Sequence, residues 1–195
     1  MNESSSITAA QFVSQRHTFP DGGRWLELVQ GQLEQLEPPD VLHGNVVMNL
    51  SKTLAEHFQQ AADDVAGYAC FELGLKVASH PDTVRFPAIS LYFGSERFSE
   101  TDKIVTEKMP QLAIEIASTP KRRSGISQRV EEYHAVGIAT VWVIDSVEKA
   151  VHLIDRKRSQ QTFQKSQTLI GTGAMSSFQM SIGPMFEDPS WWNGP

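Results

Sequence analysis

A chain of 195 residues with 40% hydrophobic and 21% charged side chains is long enough to bury a core as one domain. It holds no apolar run near the roughly 18 residues of a membrane helix. A net charge of −6 excludes global attraction to nucleic acid, so any such role needs a local basic patch. The single cysteine, Cys70, excludes an internal disulfide and a multi-cysteine zinc cluster. The polar start "MNESSSITAAQ" lacks the layout of a signal peptide, and a cytoplasmic location is the expectation.

The first element predicted is a short helix over "SITAAQFVSQ", with Ser or Thr as its cap. "RWLELVQGQLEQLE" reads as a hairpin turning at Gly31. "PDVLHGNVVMNLSKTLAEHFQQAAD" reads as a long amphipathic helix: Val47, Leu50, Leu54 and Phe58 recur at helical spacing, and Asp40 is placed to cap it. "GYACFELGLKVA", with Cys70 as core filler, and "AISLYF" read as two strands, with "SHPDTVRFP" as a turn between them. A polar loop, "GSERFSETDKIVTEKMP", leads to the strand "QLAIEIAS". "KRRSG" and the helix "ISQRVEEYHAVG", closed by Gly137, follow. "TVWVIDS", "AVHLIDRK" and "QTFQKSQTLIG" are further strand-like runs, and the tail carries Trp191 and Trp192, placed to dock on the body or on a partner. The segment from Gln111 to Asp145 has the length of a strand–helix–strand crossover between parallel strands. The fold class is therefore mixed α and β, with an N-terminal hairpin and long helix before a central mixed sheet.

One residue in "QLAIEIAS" stands out. Leu112, Ile114 and Ile116 share one strand face, and Ala113, Glu115 and Ala117 share the other. A carboxylate in such a strand costs several kcal/mol unless it is ion-paired, hydrogen-bonded or bound to a metal, on the order of 2–7 for an unpaired polar group. On the helix that follows, Ile126, Val130, Tyr133 and Val136 form the apolar arc, and Arg129 falls inside it. Gln128, Glu131, Glu132 and Ala135 fall on the other side. An inward Glu followed by an inward Arg is either a buried structural ion pair or part of a site at the strand end, where crossover loops gather. Lys121, Arg122 and Arg123 lie close by, either as a solvated turn or as a nucleic-acid contact; Arg156 to Arg158 form a second basic run.

The order and spacing of several pieces resemble the Uma-two family of restriction endonucleases, long classed as a domain of unknown function within the PD-(D/E)XK nuclease superfamily. The pieces are "RWLELVQGQL", "VLHGNVVMNLSKTLAEHF", "VRFPAISLYF", "QLAIEIAST", "RVEEYHAVGIATVWVIDS" and "MSSFQMSIGPMF", spanning about Ala9 to Phe186. The resemblance implies a restriction-endonuclease-like core. It implies an Asp and a Glu that hold Mg²⁺ or Mn²⁺, a Lys that positions the attacking water, and DNA as substrate. A metal and a cation together stabilise the charge that develops during phosphodiester hydrolysis.

Carried over residue by residue, Glu115 takes the metal-ligand position and Glu27 the N-terminal acidic position. The family Asp falls on Ala88, which cannot bind a metal, and the family Lys falls on Arg129, which cannot act as a base. His43 takes a position at the edge of the site; read alone, it is a histidine in a helix's first turn. Asp82, in "SHPDT", forms a literal Pro-Asp that could stand in for the missing ligand, Asp40, also after Pro, reads as a helix cap, and Asp145 reads as a turn or cap residue. The leading expectation is a degenerate nuclease that binds nucleic acid or a protein partner without cutting. The alternatives are an active Mg²⁺ nuclease using Glu115, Glu27 and Arg129, and a protein-partner scaffold. A homodimer is compatible with all three.

Overall fold

The computed structural model describes residues 6–60, 67–94, 96, 98–157 and 159–193. Within them the expected mixed α and β class holds. Helix α1 (Ala9–Gln15) is capped by Thr8, whose hydroxyl accepts from the Gln11 amide while the Gln11 side chain accepts from the Thr8 amide. Strands β1 (Leu26–Val29) and β2 (Gln32–Gln35) form the predicted hairpin. Its turn residues, Gln30 and Gly31, have φ of 50° and 75°, the left-handed pair that a two-residue type I′ turn demands. Helix α2 (Val41–Gln60) starts at Asp40, whose carboxylate accepts from the His43 amide at 2.8 Å. It buries Val46, Leu50 and Leu54 completely; the expected continuation to Asp63 lies outside the described residues.

Two expectations need correction in the middle of the chain. "GYACFELGLKVA" is not one strand. Glu72, at φ 48°, divides it into β3 (Gly67–Phe71) and β4 (Gly74–Ala78), which join different sheets. The separator "SHPDTVRFP" is a turn only in its first half, because Thr83–Arg85 form strand β5 between β1 and β4. Val84 there fills a core with Phe12 and Leu28, and that packing outweighs the turn-rich composition.

Strand β6 (Ile89–Phe93) follows, and the predicted polar loop contains the short strand β7 (Val105–Thr106). Next come β8 (Leu112–Ile116), α3 (Pro120–Ser124), α4 (Ile126–Ala135), β9 (Thr140–Asp145), β10 (Ala150–Asp155) and β11 (Gln160–Gln164). Strands β12 (Thr168–Ile170) and β13 (Gln179–Ser181) and helix α5 (Ile182–Met185) complete the chain, so "QTFQKSQTLIG" supplies two strands of different sheets. The crossover is as expected: β8 and β9 pair in parallel, with Glu115 opposite Val143.

Two main sheets result. One has the order β2-β1-β5-β4-β7, the other β11-β10-β9-β8-β6-β3. Helix α2 covers one face of the six-stranded sheet, where Leu50 and Leu54 meet Ile114, Trp142 and Phe178. Helix α4 covers the other face, and its Val130 and Tyr133 meet Ala113, Ala117 and Val143 together with Leu75 and Val77 of β4. Helix α4 thus lies between the two sheets, and its inward side chains reach both.

Candidate active site

Glu115 occupies the middle of β8, between Ala113 and Ala117 on the face covered by α4. The two alanines leave the volume that its carboxylate and partners fill. Arg129, from the second turn of α4, donates through Nη1 to Glu115 Oε1 at 3.2 Å, and the Tyr133 hydroxyl, one turn on, donates to the same oxygen at 2.5 Å. Arg129 also reaches the other sheet, donating to Glu27 Oε1 at 2.8 Å and Oε2 at 2.6 Å. Glu27 is wholly buried on β1. It accepts two more N–H groups, from Arg85 Nη1 and the Phe86 amide, both at 2.9 Å. Arg85, on β5, is held from its far side by Glu132 of α4, through Nε at 2.7 Å and Nη2 at 3.0 Å. The result is a buried chain Glu115–Arg129–Glu27–Arg85–Glu132.

The electrostatics follow from this geometry. Burial alone would lower the pKa of Arg129, but Glu115 and Glu27 more than offset it and hold it well above the ordinary arginine value. Arg85 is raised in the same way: burial opposes the charge, and Glu132 and Glu27 restore it. Burial, reinforced by Glu115, pushes the Tyr133 hydroxyl up, so it remains a donor. Both guanidiniums are permanent cations here.

The donor set does not fit a divalent cation. Each Glu27 oxygen already accepts two N–H groups, and Arg129 stands between Glu27 and Glu115. Mg²⁺ needs free carboxylate oxygens and room for several waters. Ala88, 6% exposed, supplies no ligand atom. It immediately precedes β6, whose register sets Ile89 against Ile114, one step from Glu115.

The other sequence-predicted residues fall in several places. His43 is buried beside Ala88, with its Nδ1 3.4 Å from Ser118 Oγ. Lys121, Arg122 and Arg123 belong to α3 rather than to an open loop. Lys121 is tied to the Gln35 carbonyl, Arg123 pairs with Asp145 and with Glu148 at 3.6 Å, and Arg122 points inward, 8% exposed. Asp82 is engaged elsewhere: it accepts from the Ala9 amide at 2.7 Å and lies 3.7 Å from Lys76. Asp145 serves its turn, accepting from the amides of Val147 and Glu148. Asp145, Glu148 and His152 bring one ligand-type atom each within 4.8 Å of one another, and Oδ1 of Asp145 already accepts from the turn amides and Arg123. In the second basic run, Arg156 borders an open groove beside α4, and Arg158 lies outside the described residues.

Three members of the network were not singled out for the site from sequence: Arg85, Glu132 and the hydroxyl of Tyr133. Arg85 carried a signal, because alternation in "TVRFP" puts it on the face opposite Val84. Glu132 carried none, since it lies on the polar arc of α4 and is recruited only because β5 passes there.

The architecture has a solved counterpart. A protein from Anabaena variabilis ATCC 29413, described as "a putative nuclease belonging to DUF820", superposes with a TM-score of 0.73 at 18% identity, over 92% of this chain and 97% of that one. At that identity the likeness is one of fold. No functionally curated protein matches the chain. No helix among the described residues is long and apolar enough to cross a membrane. The profile of one family aligns with residues 11–183, nearly the full length, and the chain therefore belongs to the Uma2 family, described as "Putative restriction endonuclease".

Proposed function

We propose that this protein is a nuclease-fold nucleic-acid-binding protein whose metal site has been replaced by an internal ion-pair network, so that it holds nucleic acid without metal-dependent cleavage. The observation that carries this reading is the occupancy of Glu27 and Glu115. The two carboxylates that would hold Mg²⁺ share the guanidinium of Arg129, and both oxygens of Glu27 are taken. The absent carboxylate at Ala88 and the arginine at the family's lysine position point the same way. A protonated guanidinium can clamp a carboxylate or a phosphate but cannot take a proton from water. Restriction-type dimerisation belongs to the same reading, and sedimentation of the purified chain measures it.

The test is a cleavage assay on single- and double-stranded DNA with Mg²⁺ or Mn²⁺. The wild-type chain is expected to bind without cutting, and the Ala88→Asp, Arg129→Lys double variant is expected to gain metal-dependent cutting. Wild-type cleavage that is lost in Glu115→Ala would overturn the reading in favour of an active nuclease built on Glu115, Glu27 and Arg129.

A further inference from the structure

Arg122 is buried and makes few direct contacts to acceptors, although the Glu37 carboxylate lies within electrostatic reach of it. Its Nε has no hydrogen-bond partner, its Nη2 reaches only the Glu37 carbonyl at 3.4 Å, and it makes no ion pair among the described residues. A guanidinium taken out of water and left without acceptors is costly unless something else supplies them. Arg122 lines a small cavity with Arg16, Arg24, His43, Glu72 and Ala88. Arg16 repeats the pattern: its Nη1 is buried without a partner. Its guanidinium lies over the Phe86 ring at 4.5 Å, and that of Arg24 lies over the Trp25 ring at 4.8 Å. Aromatic faces fix the position of such cations without neutralising them. Neither Arg16 nor Arg24 makes an ion pair among the described residues. Glu72 is the acidic lining residue, and it is exposed.

Three arginines therefore converge on one cavity in a chain whose net charge is −6. Ala88, at the position where the family's metal-binding Asp would stand, lines this cavity. A carboxylate there would repel a phosphate unless a metal lay between them, and alanine removes that repulsion. The enclosed space is ≈ 20 Å³, room for about one oxygen-sized atom. The rest of a bound group would sit at the mouth, between Arg16 and the exposed Arg24. Burial and the charge of Arg122 press the His43 pKa down to about 4, so its imidazole is neutral at neutral pH and adds a hydrogen-bonding group without charge.

We infer that this cavity binds a backbone phosphoryl group of nucleic acid directly on Arg122, Arg16 and Arg24, with no metal between them. The inference rests on the nuclease-fold reading above and names the ligand chemistry of that same region. Guanidinium forks match the oxygens of phosphate in pairs, which suits Arg better than Lys in a dry pocket.

The experiment uses the full chain in the presence of a chelator, which separates it from any metal-dependent activity. A labelled oligonucleotide is titrated over a range of salt, and thermal stability and tryptophan fluorescence are followed in inorganic phosphate and in chloride at matched ionic strength. Phosphate should raise Tm more than chloride does and should perturb the fluorescence of Trp25. Arg122→Gln should weaken oligonucleotide binding about tenfold and reduce the salt slope by about one. Arg24→Gln, at an exposed position that folding does not need, should weaken binding in the same direction with Tm unchanged. If both variants bind the oligonucleotide as tightly as wild type, the cavity assignment is wrong, while nucleic-acid binding elsewhere on the fold stands. If phosphate acts through Arg122 but the oligonucleotide does not bind, the nucleic-acid assignment is overturned in favour of free phosphate. Metal-dependent cutting by the wild type would instead overturn the reading of the carboxylate site and leave these measurements intact.

Discussion

Glu27 is the most heavily engaged side chain of the site, and its substitution should be the most damaging. Glu27→Ala would leave Arg85 and Arg129 buried with too few acceptors, a loss of about 3–5 kcal/mol in urea unfolding. Glu34→Ala is the control: Glu34 is half-buried, 3.7 Å from the same Arg85, and its loss should cost less than about 1 kcal/mol. Tyr133→Phe removes one donor to Glu115 and should cost about 1.5–3 kcal/mol, the range for a hydrogen bond to a charged group. His43 gives a pH signature. Burial and Arg122 lower its pKa to about 4, against a smaller opposing effect of Asp40. Between the unfolded value near 6.5 and about 4, the unfolded chain holds a proton that the folded chain does not. This contribution is complete above about pH 6.5 and is lost as the pH falls towards 4, by about 3 kcal/mol. The pH dependence of unfolding should flatten across that window in His43→Gln.

At the scale of the element, the first hairpin sets where Glu27 points. Gly31 holds φ 75°, and a Cβ there would also meet the Ser6 side chain. Gly31→Ala should therefore cost at least about 1–2 kcal/mol, seen as a lower urea midpoint. Helix α4 carries three partners within about one turn, Arg129, Glu132 and Tyr133, aimed at three different strands: Arg129 at β1 and β8, Glu132 at β5, and Tyr133 at β8. Strand β8 supplies a charge that needs covering, and α4 covers it within the same crossover.

On the scale of the whole molecule, the network ties the two sheets together through one helix. Glu27 and Arg85 belong to the five-stranded sheet, Glu115 to the six-stranded sheet, and Arg129 bridges them. A double-mutant cycle on Glu27→Gln and Glu115→Gln should thus show an interaction energy of about 0.5–3 kcal/mol, although the two residues sit on different sheets. Additivity would mean that Arg129 does not couple the two carboxylates. The net charge of −6 is an average: among the described residues Arg85, Arg123 and Arg129 are held in ion pairs, while Arg16, Arg24 and Arg122 line one cavity without any.

By itself the sequence determined the local features. The Thr8 and Asp40 caps, the Gly31 turn, the apolar rows of α2 and α4 and the parallel crossover follow from residue type and period. So do the inward positions of Glu115 and Arg129, because strand and helix periodicity fix which face a side chain takes. Where the outcome depended on a distant segment, the sequence was silent or misleading. Thr83–Arg85 form a strand because β1 and β4 flank them, and "GYACFELGLKVA" divides because its halves meet different sheets. Glu27 becomes the centre of the network because β1 is brought against α4 across 102 residues of sequence. Arg122 turns inward, away from the solvent that its neighbours meet. Tertiary structure alone decided these points, because ion pairing and burial depend on which surfaces meet, and a one-dimensional period carries no record of that.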